Sequence, residues 1–252
     1  MKIHLKTFCT MLFCLTLLPA GAQPGPKQAG DRTGSDGPTI GNPSSKLFGS
    51  NVSYSATMEM QTDKAKPILT KVFADHGKLR HEIDMAENIG SQLPPEITAQ
   101  LRSSGMGKQI LLWLPEKNGF YQIQPAVQGY LELPMPSGKT LTESDYQMET
   151  MQLGKETLDG HPCVKNKAVV TDPQGRKNEF IVWNATDLNN FPIKIQTTTS
   201  LRESQITLYR NIKLAKPDPN LFDLPAGYRK YPDIGTMMQD IMMKQLSGGM
   251  GR

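Results

Sequence analysis

The chain has 252 residues, with 28 Lys and Arg against 24 Asp and Glu, a formal net charge of +4. So small an excess excludes the electrostatic footprint of a nucleic-acid binder, which needs a clustered basic face. Three cysteines are too few for a disulfide-stapled scaffold, and the length suits one domain, or one domain and a tail.

The N-terminus has the parts of a secretory signal peptide. Lys2, His4 and Lys6 give a positive start, Phe8 to Leu18 form an apolar run, and Pro19-Ala20-Gly21-Ala22 places small residues before Gln23. This predicts removal of residues 1–22 by cleavage between Ala22 and Gln23, and a periplasmic or secreted product. The apolar run is shorter than the about 20 residues that span a bilayer, and no later segment is longer, so a spanning helix is not expected. Position 23 is Gln, where a lipid-anchored protein would carry Cys. Cleavage takes Cys9 and Cys14 away and leaves Cys163 alone, without an internal partner. A mature chain of this length can stand on its hydrophobic core.

Residues 23–46 are Gly, Pro, Ser, Asp and Lys with almost nothing apolar, which predicts a disordered spacer. From Asn51 the pattern changes. Val52, Tyr54, Ala56, Met58 and Met60 alternate with polar residues, the signature of a half-buried strand. Residues 68–74 form a second strand, Asp75-His76-Gly77 a turn, and a third strand places Leu79, His81, Ile83 and Met85 on one side. Pro94 and Pro95, the i,i+4 pair Ile97 and Leu101, and Gly105 predict a short helix over 94–104. Ile110-Leu111-Leu112-Trp113-Leu114 is apolar throughout and reads as a strand covered on both faces. Further strands are predicted at 119–124, 129–133, 145–153, 163–171, 177–184, 192–199 and 204–214, separated by turn signals such as Asp159-Gly160. Many short strands at regular spacing point to an antiparallel sandwich, barrel or curved open sheet. At the end, Asp233 reads as an N-cap. Ile234, Met237, Met238, Ile241 and Met242 recur on one helical face, and Ser247-Gly248-Gly249 is expected to end that helix near 246.

No catalytic motif survives inspection, and the chain reads as a non-enzyme needing no cofactor. Gly107-Lys108 lacks the earlier glycine of a phosphate loop, since position 102 is Arg. Glu82 and Asp84 read as solvated carboxylates on a polar strand face. His81 sits on an apolar face as a core or cavity-edge histidine. Gly160-His161-Pro162-Cys163 reads first as a turn feeding a strand with a small buried thiol. His161 and Cys163 are at most weak candidates for a soft-metal or redox site, with the C-terminal methionines as further soft donors. Those methionines read first as core cover and second as an adaptable apolar surface.

Pro219-Asn220-Leu221-Phe222-Asp223-Leu224-Pro225-Ala226-Gly227-Tyr228 resembles the ending of the lipoprotein-carrier-like (LolA/LolB-like) superfamily of bacterial envelope proteins. Phe73 to Met85 and Leu158 to Val170, with Phe180-Ile181-Val182-Trp183-Asn184, are similar to an uncharacterised envelope family of that type. The resemblance spans about residues 50–230. It implies a mainly β fold, a strongly curved antiparallel half-barrel, here over 47–232, with helices covering its open side; the short helix and the amphipathic C-terminal helix in the Met-rich tail at 233–252, a tail foreign to a carrier, are available for that cover. It also implies an apolar cavity for a lipid or a lipidated protein. The apolar strand faces then offer Tyr54, Met58, Met60, Leu79, Ile83, Trp113, Phe120 and Tyr130 as its lining. An envelope protein-interaction or stress-sensing module is the alternative use of the same fold, and the sequence does not fix an oligomeric state.

Overall fold

The computed structural model describes residues 43–62, 65–133, 143–198 and 204–249. The expected signal peptide, and the spacer up to residue 42, lie outside the described residues.

Among the described residues twelve strands form one sheet. They are β1 (Ser53–Thr62), β2 (Ala65–Asp75), β3 (Lys78–Asp84), β4 (Lys108–Leu114), β5 (Gly119–Gln124), β6 (Gly129–Leu133), β7 (Gln147–Leu158), β8 (His161–Thr171), β9 (Lys177–Ala185), β10 (Phe191–Thr198), β11 (Ser204–Lys213) and β12 (Arg229–Lys230). Their spatial order is β12-β6-β5-β4-β3-β2-β1-β11-β10-β9-β8-β7. All neighbours run antiparallel except β12, which lies parallel to β6. The sheet is open and curved and does not close into a barrel. Among the described residues three α-helices accompany it: α1 (Met85–Asn88), α2 (Pro95–Ser104) and α3 (Ile234–Gly249).

The hairpins follow from local chemistry. His76-Gly77 and Asp159-Gly160 each put two successive residues at positive φ, the geometry that suits the right-handed twist of the strands they join. Two longer connections share one construction. Pro115–Lys117 and Pro125–Val127 are single 3-10 turns opened by proline and closed by a left-handed residue, Asn118 or Gln128, before a glycine. Thr186–Leu188 followed by left-handed Asn189 repeats it without the proline.

Helix boundaries match the sequence signals with two differences. Asp233 accepts a 2.8 Å bond from the Thr236 amide and opens α3 as expected. That helix continues through Gly248 to Gly249 instead of stopping near 246. α1 was not expected: Asp84, read from the sequence as a solvated carboxylate, caps it by accepting a 2.9 Å bond from the Ala86 amide. Glu82 is likewise engaged, taking a 2.7 Å bond from Arg80.

Order also begins earlier than the composition suggests. Pro43–Phe48 is a 3-10 turn in which Leu47 is buried, so the expected spacer does not reach residue 46. Phe48 stacks on Tyr54 at 5.3 Å between ring centres and meets Phe191 and Tyr209 edge-on. Two apolar residues in a polar stretch are enough to dock it, because each aromatic contact adds to the area buried.

The core has parts on both sides of the sheet. One cluster joins Leu112, Leu114, Tyr121 and Ile123 to Phe222, with Leu221, Leu224 and Tyr228 packed around it. Arg80 holds this returning segment through a 2.9 Å bond to the Leu221 carbonyl. On the other side Leu131 packs with Tyr231, Met237 and Ile241, so α3 lies there. The expectation that residues 110–114 are covered on both faces is met: Leu112 and Leu114 are sealed under Phe222, and Trp113, on the opposite face, is buried too.

Candidate ligand-binding face

Paired residues of adjacent strands share a face, so the register defines what each side displays. Tyr54 pairs with Ala74, Leu79 with Ala74 and Trp113, and Phe120 with Trp113 and Leu133. A second row runs Ala56, Val72, His81, Leu111, Gln122, Leu131. A third runs Tyr209, Met58, Thr70, Ile83, Gln109. A fourth runs Ile68, Met60, Thr207, Ile195, Val182. We call this side inner, because the 3-10 turn Pro43–Phe48 and α3 both pack on it.

Seven of the eight sequence candidates, Tyr54, Met58, Met60, Leu79, Ile83, Trp113 and Phe120, therefore share the inner face. Tyr130 does not. It pairs with Ile123, which pairs with Ile110, and its ring lies 6.1 Å from Tyr121 among the residues under Phe222. The difference is one of parity: β6 turns Leu131 inward, and a shift of one residue changes the face.

The inner face carries no charge over the interior of six strands. At the inner positions of 54–60, 68–74, 79–83, 109–113, 120–124 and 129–133 there is no Asp, Glu, Lys or Arg. Lys71, Arg80, Glu82 and Glu132 all point to the other side.

Besides Thr70, Gln109 and Thr207 in these rows and Gln124 on the same side, four polar groups interrupt this surface. His81 lies between Val72 and Leu111, Gln122 between Leu111 and Leu131, and Tyr54 and Tyr209 flank Phe48. Burial pulls the His81 imidazole down to about 4. It pushes both phenols up, that of Tyr54 with a smaller contribution from Tyr209. None of the four side chains has a hydrogen-bond partner among the described residues. Yet among the described residues no fully sealed side-chain polar atom lacks a partner. The polar ends of all four must therefore border open space. Gln122 is only 6% exposed, while His81 is half-buried.

Gln122 was not singled out from sequence, although its signal was there. In Phe120-Tyr121-Gln122-Ile123-Gln124 the strict alternation puts both glutamines on the side of Phe120. Gln124 differs in being satisfied, through a 3.0 Å bond to the Met106 carbonyl.

The weak metal candidates are engaged otherwise. His161 Nδ1 lies 2.8 Å from Asp187 Oδ2. The Cys163 thiol is buried, donates to the His161 carbonyl at 3.3 Å, and has its pKa raised by burial. Met237 packs with Leu131 and Tyr231, in a cluster separate from that of Cys163. The described residues hold no group of three or more His, Cys, Asp or Glu side chains placed to bind a metal.

No family model matches the sequence, and no curated protein matches it either. Solved structures do. An uncharacterised conserved protein from Thermus thermophilus matches at 11% identity and a TM-score of 0.43, over 75% of this chain and 96% of that one. MucB in complex with MucA(peri) matches at 11% identity and a TM-score of 0.39, over 75% of this chain and 60% of MucB. A LolA-superfamily protein from Nitrosomonas europaea matches at 12% identity and a TM-score of 0.34, over 72% and 94%.

Proposed function

We propose that this chain is a non-enzymatic binding or carrier protein of the bacterial cell envelope, holding a lipid or a lipidated partner against its inner face. In this reading residues 1–22 direct export and leave between Ala22 and Gln23. The following polar stretch is a tether, residues 47–232 are the binding domain, and residues 233–252 are a helical cover with a tail. The single observation that carries the reading is the inner face, which bears no charge over the interior of six strands. Apolar cargo gains about 25 cal/mol for each Å² it buries there, and a few polar groups among mostly apolar ones are the usual make-up of a ligand site.

The test is native mass spectrometry of the mature protein purified from the periplasm, followed by organic extraction. The expected outcome is a near-stoichiometric acyl species. A clean apo mass under conditions that preserve weak complexes would count against the reading.

A second reading, a protein-interaction module, is favoured by the free edge of the sheet. β7 is twelve residues long, ends the sheet among the described residues, and leaves Met148, Met151 and Leu153 exposed. Such an edge offers unpaired backbone groups to an extended segment of another protein. Cross-linking that recovers a lipid-free stable complex through β7 would favour it.

A further inference from the structure

The edge strand β7 carries an ordered arrangement of charge that the fold does not use. Gln147 to Leu153 and Lys155 to Thr157 are all exposed. Pairing with β8 fixes where each side chain points. Met148 and Thr150 oppose Val170 and Ala168, which pack with Leu47, so they face inward. Glu149 and Met151 oppose Val169 and Lys167 and face outward. Between Gln152 and Gly154 the register shifts, which leaves Leu153 as an extra residue. Such a bulge reverses the alternation beyond it, so Lys155, opposite Val164, faces inward. Glu149 and Lys155 therefore lie on opposite faces, although an even number of positions separates them. Neither has an ion-pair or hydrogen-bond partner among the described residues. Glu156, the other acid of the strand, is engaged: it accepts a 2.5 Å bond from the Trp183 indole and lies 3.7 Å from Lys165.

Charges of one sign keep other strands away from an edge. One acid and one base, with Met151 and Leu153 exposed between them at 57% and 46%, select a strand instead. A second copy of this chain does not answer the arrangement. Two β7 strands laid antiparallel with their bulges matched oppose Glu149 of each to Glu156 of the other, and like charges directly opposed weaken a pair.

We propose that β7 takes up, antiparallel, an extended segment of another protein that carries an acid and, five positions further on, a base, with apolar residues between them. The acid meets Lys155 and the base meets Glu149. The spacing is one shorter than on β7 because two residues at the bulge oppose one of the partner. The residues between lie against Leu153 and Met151. Backbone hydrogen bonds supply the affinity, and the side chains supply the selectivity. This rests on the interaction-module reading above and gives its partner a chemistry.

The experiment uses the mature protein and labelled peptides, read by fluorescence anisotropy and by amide exchange. The matched peptide is Thr-Glu-Thr-Val-Val-Thr-Lys-Val-Thr. A swapped peptide exchanges its Glu and Lys, and a neutral one has Gln at both places. The wild type should bind the matched peptide about tenfold more tightly than the swapped one, with new amide protection over 147–157. Glu149→Lys combined with Lys155→Glu, both at exposed positions, should invert that order. The wild-type order decides the matter even where the double variant does not fold. Equal affinity for all three peptides, with β7 protected, would overturn the proposal and leave the interaction reading standing. Binding that leaves β7 unprotected would overturn it by placing the peptide elsewhere. A dimer through β7 that no peptide displaces would overturn it by giving the edge to a second copy. Binding of none of the peptides would remove the interaction reading, and the proposal with it.

Discussion

At the scale of single residues, the inner face is defined by what it leaves out. Met58 and Ile83 stand in adjoining positions of one row, separated only by Thr70. Met58 is half-buried, so Met58→Asp should fold, yet it brings an unpaired charge to the apolar surface. We expect retained lipid to fall by about tenfold or more in both Met58→Asp and Ile83→Asp, measured by native mass spectrometry on exported protein. Unchanged retention in both would argue against the inner face as the site. His81 makes a separate prediction about folding. Its folded pKa of about 4 lies below the ordinary 6.5, so the unfolded chain holds that proton more tightly. The stability this histidine permits is complete above pH 6.5 and is lost as the pH falls toward 4, by up to about 3 kcal/mol. His81→Phe should flatten that part of the acid limb in urea titrations at pH 7 and pH 4; an unchanged slope would mean His81 is solvated. Much of this residue-level picture was legible, because alternation alone put Tyr54, Met58, Leu79, His81 and Ile83 together. Whether a polar group on that face finds a partner was not, since it depends on which residues from elsewhere arrive beside it.

Elements were more legible than their ends. Eleven strands carry either an alternating or a wholly apolar pattern, and proline, glycine and asparagine mark the hairpins between them. β12 escaped because two residues have no period, and it forms only as its segment passes beside β6. The 3-10 turn Pro43–Phe48 escaped because Leu47 and Phe48 are too few to stand out from their polar surroundings. The returning segment 219–228 was noticed as a phrase, but its role is visible only in space: it covers the outer side of β4 to β6. Phe222 is its anchor, 3% exposed among Leu112, Leu114, Tyr121 and Ile123. Phe222→Ala should cost about 3–5 kcal/mol, read as a lower urea midpoint with an unchanged slope. A cost below 1 kcal/mol would show that the cover is not part of the cooperative core.

At the scale of the whole molecule, the cover of one sheet end depends on a single close approach. A Cβ added to Gly129 would overlap the Tyr231 ring. Tyr231 follows β12, bonds through its hydroxyl to Asp240 at 2.7 Å, and shares a cluster with Met237 and Ile241 of α3. Gly129→Ala should therefore loosen β12 and α3 together, seen as faster amide exchange over 229–241 with β8 to β10 unaffected. Exchange unchanged over 229–241 would mean that the ring shifts aside at little cost. The overall shape was the least legible level. Periodicity fixes which residues face which way, but a sandwich, a closed barrel and an open sheet all use the same alternation. The choice among them rests on long-range register, such as β1 pairing with β11.

The two ends of the open sheet are unequal. At one, β12 is only two residues long and pairs with the first two residues of β6, while α3 packs close by on Leu131. At the other, β7 is long and bare among the described residues. A filament grown edge to edge needs two receptive edges on every subunit, so that each addition leaves a new one exposed. Among the described residues this molecule has one long bare edge. Copies that met through β7 would use up both of their open edges in a single contact, and growth would stop at a pair.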